Sequence, residues 1–213
     1  MPEPTLEGFP LFPLGIVALP TESVPLHIFE ARYLRMIERC EAAPRGSVER
    51  QFGIIWLSEE RLSPVGCACE LEDVLERGED GRMNIMVRGN KPFRLLARAE
   101  DQPFPAGTVQ FLAEAEEERD EESASAAREL YRELLEEATD REIAEPELAQ
   151  MAAYEMAGMV EFDLHAKQEL LEMRSENARM RLLVHLLGAA LQHLELVERA
   201  RMRALSNGKV RFG

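Results

Sequence analysis

Cysteine is scarce in this chain, and its three residues form no spaced framework: Cys40 stands alone and Cys67 and Cys69 are one residue apart. An odd, unspaced set excludes a disulfide scaffold and suits a reducing, cytoplasmic setting. No stretch approaches the roughly 18 uninterrupted apolar residues of a spanning helix, and the start lacks a basic region followed by an apolar run. Neither a membrane span nor a signal peptide is expected. A nucleotide-binding phosphate loop is missing too. GNKPF at Gly89 has the lysine but not the preceding glycine spacing, nor the Ser or Thr that would hold magnesium. Histidine occurs only at positions 27, 165, 185 and 193, never in H-E-x-x-H spacing. His185 and His193 are too far apart along one helix to chelate a single metal. No motif sets a Ser or Cys nucleophile beside a base, so no catalytic residue, metal site or cofactor is expected. There is no internal repeat.

What is present is a globular composition with a strong acidic bias. The 213 residues are 46% hydrophobic and carry a formal net charge of −15. The first 113 residues hold 17 acids and 12 bases, and the remainder 23 and 13. Such a length forms one large domain or two small ones. The acidity repels phosphate backbones, so nucleic-acid binding is disfavoured without a local basic patch. The positive cluster lies at the end (Arg199, Arg201, Arg203, Lys209, Arg211) and reads as a solvated terminus.

The chain is organised around Phe9 to Cys40. The lead Phe9, Leu11, Phe12, Leu14 is broken by Pro10 and Pro13, which remove donors and push their neighbours to extended geometry. It reads as an edge-type strand, and Ile16 to Leu26 as a second extended piece. The period then changes: Phe29, Tyr33, Met36, Ile37 and Cys40 recur at helical spacing with charge between them. Ala42 to Arg50 reads as a wet loop, and FGIIWL at Phe52 to Leu57 as a buried strand. Cys67 to Leu75 is expected to pair across the Asp80-Gly81 turn with Met83 to Arg88. Gly89, Asn90 and Pro92 should interrupt the chain before a further strand, Phe93 to Ala99, with Phe93, Leu95, Ala97 and Ala99 on one face. Thr108 to Ala113 is the last strand.

The acidic run Glu114 to Glu122 marks a change of composition and reads as a solvated linker or helix start. Beyond it the spacing is helical. Ala127, Leu130, Leu134 and Leu135 share a stripe. Pro146 suits the first turn of a helix running through Met151, Tyr154 and Met156. Asp163 and Ser175 are placed to cap two more helices. The last has a broad apolar face from Leu182 to Val197, which argues for packing by neighbours or for a homodimer interface.

PLFPLGIVALPTESVPLHIFEARYLRMI resembles the start of the amino-terminal, substrate-binding domain of Lon proteases, in particular free-standing bacterial proteins of that domain alone. GCACELEDVLERGEDGRMNIMVRGNKPFRLL, from Gly66 to Leu96, follows the same family's pattern. ELLEMRSENARMRLLVHLLGAALQHLELV resembles its closing helices. The matches run in order over most of the chain. The resemblance implies an α+β fold: a PUA-like β pseudo-barrel with one early helix over residues 1–115, then a helical bundle over 116–213. The ATPase and serine–lysine peptidase signatures of a full Lon protease are not in the sequence.

The resemblance implies a non-enzymatic, ATP-independent module that binds exposed apolar segments of unfolded or partly folded proteins. It would act as a proteolysis adaptor or a holdase, partnered by a protease or chaperone. Candidate peptide-binding residues are Phe29, Tyr33, Trp56, Met151 and Met156. Aromatic and methionine side chains suit irregular apolar partners, although core packing explains most of them equally. The expected place for a groove is the junction between sheet and helices. The alternative is an RNA-binding module on a PUA-like sheet, but the aromatic-plus-basic platform it needs is not visible. Cys67 and Cys69, two apart in a strand, face the same way. They read as core thiols, since a tetrahedral zinc site needs a second ligand pair.

Overall fold

The computed structural model of the protein describes residues 4–59, 61–100, 102–139 and 142–207. Seven strands come first, with one α-helix and a short 3-10 turn (Val48–Arg50) among them: β1 (Thr5–Leu14), β2 (Ser23–Ile28), α1 (Ala31–Ala42), β3 (Gln51–Ser58), β4 (Arg61–Leu62), β5 (Val65–Arg77), β6 (Met83–Ala99) and β7 (Ala106–Phe111). Then come α2 (Glu121–Ala138), α3 (Glu145–Leu148), α4 (Ala153–Gly158), α5 (Leu164–Glu172) and α6 (Glu176–Asn207). The strands follow the order β1-β7-β6-β5-β3, and a parallel pairing of β3 with β1 closes the path into a ring. β2 joins β6 outside the ring, and β4 is a short appendage on β3.

Alternation along the ring strands sorts two cores. Phe9, Leu11, Ile55, Phe93, Val109 and Phe111 belong to a small cluster supplied by the ring strands themselves. Phe9 meets Phe93 and Phe111 edge-on, each at 5.7 Å between ring centres, a favourable aromatic arrangement. Glycine makes the room: a Cβ on Gly53 or Gly66 would stand 2.5 or 2.7 Å from the Phe93 ring. Residues of opposite parity, among them Phe12, Ile54, Cys67 and Cys69, pack in a larger core shared with Met156, Leu170, Leu183 and Leu187 of the helices. α5 lies on β5, and α2 runs along α6.

Several elements differ from the sequence reading. β1 is not an edge strand. Its first half, Thr5 to Pro10, pairs with β7 and its second, Leu11 to Leu14, with β3. Neither half donates on both sides, so the missing N–H groups of Pro10 and Pro13 are tolerated. The second extended piece begins only at Ser23, after a buried loop through Val17, Ala18 and Leu19. β6 runs unbroken through Gly89 and Pro92. The interruption is a bulge, with Ala68 opposite Lys91 but Cys69 opposite Gly89, which leaves Asn90 as the extra residue. A second register shift between Leu95 and Ala97 ends the expected alternation and leaves Ala97 exposed.

The loop before β3 is not merely wet. Arg50 is buried and donates to the carbonyls of Leu71, Glu41 and Ala43 at 2.8, 3.1 and 3.0 Å, so it ties the loop to β5 and to the end of α1. The helix at Pro146 stops at Leu148 and restarts as α4. The carbonyl of Met151 accepts from both Nε and Nη2 of Arg128, at 3.1 and 3.0 Å, instead of continuing a helical ladder. The apolar face of α6 is packed only as far as Leu191; beyond it Leu196, Val197 and Met202 are exposed. Glu176–Arg203 has the length and hydropathy to cross a bilayer, yet this same helix spends Met180, Leu183 and Leu187 on the protein's own core. Lys209 and Arg211 of the basic tail lie outside the described residues.

The acidic run is exposed, as a solvated linker would be, and its last two residues, Glu121 and Glu122, open α2, but it is also docked. Ala115 N–H donates to the Arg174 carbonyl at 2.7 Å, and Arg174 Nε donates to Ala113 O at 3.0 Å. Glu117 accepts from the Ser175 hydroxyl and from Asn177 N–H. Asp120 caps α2 through Ser123 N–H and pairs with Arg181 at 2.9 Å. Residues 113–120 are therefore a strap laid across the start of α6, whose unsatisfied N–H groups attract carboxylates. Asp163 and Ser175 cap α5 and α6 as the sequence predicts.

Candidate functional site

The β1–β2 loop turns sharply because β6 lets it come close. Thr21 adopts a φ of 69°, in the left-handed region. Thr21 N–H donates to Gly89 O at 2.8 Å, and Gly89 N–H donates to Glu22 O at 2.9 Å. A side chain at Gly89 is impossible here, since its Cβ would fall 1.9 Å from the Leu19 carbonyl oxygen. The clamp aims the Glu22 carboxylate away from the strand. Its Oε2 accepts from Leu19 N–H at 2.9 Å and its Oε1 from Lys167 Nζ at 2.6 Å. Lys167 comes from α5, so this ion pair links the sheet to the helices. Its side chains are only 16% and 13% exposed, which makes it more than a loose surface contact.

Two concavities of about 680 and 280 Å³ open beside this pair and share Glu22, Gly158 and Met159. The larger is bounded by Thr21, Ser23 and Arg88 on the sheet side and by Glu147, Met151 and Glu155 on the helical side. The smaller is largely apolar, lined by Ile16, Val17, Val24, Val160, Phe162 and Leu164 together with Glu161 and Lys167. α4 ends where it touches the loop, and a Cβ on Gly158 would stand 3.3 Å from the Glu22 Cβ. Met159 is the next residue. It projects between the two concavities and is 69% exposed. An exposed, unbranched thioether beside an apolar trough can adapt to side chains of varied shape.

Of the five candidate binding residues, only Met151 lines this groove. Tyr33 is buried against Phe12, 4.1 Å between ring centres. Trp56 is buried with its ring edge-on to His165 at 4.9 Å. Met156 is fully buried in the larger core. Phe29 lies outside α1 and is 60% exposed, stacked on His27, whose Nδ1 is 2.7 Å from Asn84 Oδ1. The structure thus does not bring the five together. Sequence reasoning singled out neither Met159 nor Glu22, Lys167, Glu161 and Phe162. Their signal is weak, because the loop and the helices meet only through long-range packing.

The three thiols face the larger core, Cys67 and Cys69 from β5 and Cys40 from α1. Burial pushes the Cys40 thiol up to about 11, and a hydrogen bond with Cys67, reinforced by burial, raises Cys69 well above its ordinary value. Among the described residues no group of three or more His, Cys, Asp or Glu is arranged to hold a metal ion. The groove's polar groups are arranged for contact: Glu22 is committed to Lys167 and Leu19, and Glu155 accepts from Ala152 N–H at 2.8 Å.

Comparison with known proteins gives the fold relatives. A crystal structure of a Lon N-terminal domain protein from Xanthomonas campestris matches with a TM-score of 0.65 and 25% identity, over 84% of this chain and 98% of that one. The N-terminal domain of a Mycobacterium avium complex Lon protease matches with a TM-score of 0.60 and 20% identity, over 85% and 98%; at that identity it speaks for the fold alone. Residues 8–189 match the family described as the ATP-dependent protease La (Lon) substrate-binding domain, so they take in the ring from Gly8 of β1 onward, α2 to α5 and α6 as far as Ala189. The chain belongs to the Lon substrate-binding domain family.

Proposed function

We propose that this protein is a non-enzymatic binding module that takes up exposed apolar segments of unfolded or partly folded proteins in the groove around Met159. The observation that carries the reading is the exposed Met159 standing between two concavities at the junction of loop and helices. Family membership supports protein substrates as the ligand class, and the match covers a substrate-binding domain, not a motor or a peptidase. Burying a few side chains against Met151, Val160 and Phe162 supplies the affinity. That affinity is modest, because an unfolded segment loses conformational freedom on docking. A module of this kind serves as a proteolysis adaptor or a holdase without ATP. The three buried, unpaired thiols are consistent with a cytoplasmic setting.

The test is fluorescence anisotropy of a labelled unfolded protein against the wild type and Met159→Asp, with a labelled RNA beside it. Saturable binding that persists at moderate salt and weakens at least about ten-fold in the variant supports the reading, since placing a carboxylate in an apolar contact is costly. Binding of RNA alone, falling steeply with salt, would replace it with the nucleic-acid reading.

A further inference from the structure

Resting on that reading, we infer that the groove selects extended segments in which an apolar residue is flanked by lysine or arginine. The lining carries the carboxylates of Glu22, Glu147, Glu155 and Glu161 against two cations, Arg88 and Lys167. Both cations already face acids: Lys167 is paired with Glu22 at 2.6 Å, and Arg88 has Glu72 at 3.9 Å. Glu147 borders the larger concavity and Glu161 the smaller, and neither has an ion-pair partner among the described residues. Val160 and Phe162 line the smaller lobe and Met159 joins it to the larger, with an uncompensated carboxylate in each of the two lobes. An apolar side chain is held against Met159, Val160 and Phe162, and positive charge is welcome on either side of it. An acidic flank meets like charge on the rim, a penalty that discriminates as effectively as the attraction.

The experiment uses the whole protein and three labelled peptides with one shared apolar centre, flanked by Lys, Gln or Glu. Binding is read by anisotropy at low and moderate salt, for the wild type, the Glu147→Gln/Glu161→Gln double variant and Met159→Asp. The Lys peptide should bind roughly five-fold more tightly than the Gln peptide, the size expected of two exposed ion pairs, and the Glu peptide more weakly still. In the double variant the three affinities should converge on that of the Gln peptide, which itself should not change. Equal binding of all three to the wild type, lost in Met159→Asp, overturns the charge selection and leaves the groove reading standing. A Lys preference that survives in the double variant also overturns it, because general attraction to an acidic protein would then be the cause. Peptide binding that Met159→Asp leaves intact, or no binding at all, removes the groove reading and the selection with it.

Discussion

The guanidinium of Arg179 sits 4.2 Å from the centre of the Tyr154 ring and donates to the Tyr154 hydroxyl at 3.3 Å. Arg179 is 2% exposed, and its donors are fully used. Nη2 reaches both oxygens of Glu114 at 2.7 and 2.6 Å, Nε reaches Glu176 at 3.0 Å, and Nη1 reaches Met173 O at 2.7 Å. One planar fork therefore joins the strap, α4 and α6, and α4 ends at the groove. Glu176 extends the link by accepting from Ala153 N–H at 2.7 Å, at the start of α4.

Substitution at Arg179 should be among the most destabilising in the helical part. Arg179→Ala is expected to cost about 3–5 kcal/mol, as when a buried charged group is removed from its partners. Arg179→Lys should recover little, because a single ammonium cannot reproduce the fork. Glu114→Gln should cost under about 1 kcal/mol, since Glu114 is half exposed and its pair is screened. Urea unfolding of the three variants gives the order directly. A Glu114→Gln loss as large as that of Arg179→Ala would show that the strap, not the Tyr154 contact, carries the energy.

That network also shows where sequence reasoning stops. α1 is legible because Tyr33, Met36, Ile37 and Cys40 repeat at the helical period and are all buried. The Gly78 to Arg82 turn is legible because Gly81, at a φ of 82°, needs the freedom that glycine has. The strap is not legible: a run of carboxylates looks the same whether water or a helix start receives it, and its partners lie about sixty residues away. The groove fails for the same reason, because Glu22 and Lys167 are 145 positions apart. Period tells which side chains are apolar and share a face, and so flags Tyr33, Trp56 and Met156. It does not tell which of them the rest of the chain covers.

Acid should loosen the strap. The Asn177 N–H and the Ser175 hydroxyl hold the Glu117 carboxyl below its ordinary value, and Ser123 and Arg181 do the same for Asp120. A depressed folded-state value means that the carboxylates stabilise the fold at neutral pH, and that this contribution is lost as pH falls through the folded values. The loss begins near the ordinary carboxylate range, around pH 4, and grows below it. Unfolding midpoints measured between pH 7 and 3 should fall less steeply in Glu117→Gln/Asp120→Asn than in the wild type. Identical slopes would show that other carboxylates dominate acid unfolding.

The thiols should be silent in the native protein. All three are buried, and the raised values of Cys40 and Cys69 leave little thiolate to react at neutral pH. A disulfide reagent at pH 8 should label none of them rapidly, and all three once the protein is unfolded in urea. Rapid native labelling of Cys67 or Cys69 would mean that α5 lifts from β5 far more readily than the buried contact of Gln168 Nε2 with Val65 O, at 3.1 Å, suggests.

The Glu22–Lys167 pair makes a sharper prediction, because Glu22 serves two donors. Lys167→Met removes one of them and leaves a largely buried carboxylate facing only Leu19 N–H. Its cost should be about 1–3 kcal/mol. Glu22→Gln keeps an acceptor for Leu19 and should cost less than Glu22→Ala, which leaves that N–H without its partner. Exchanging the charges, with Glu22→Lys and Lys167→Glu together, restores the ion pair on paper but not the acceptor for Leu19. A simple salt bridge would be rescued by the exchange; this one should not be, and the double variant should stay at least about 1 kcal/mol below the wild type. The β1–β2 loop should then be freer to leave α5, so peptide affinity in the groove should fall along with stability. Full rescue of stability by the exchange would show that the Leu19 hydrogen bond contributes nothing, and that the ion pair alone carries the link between the loop and α5.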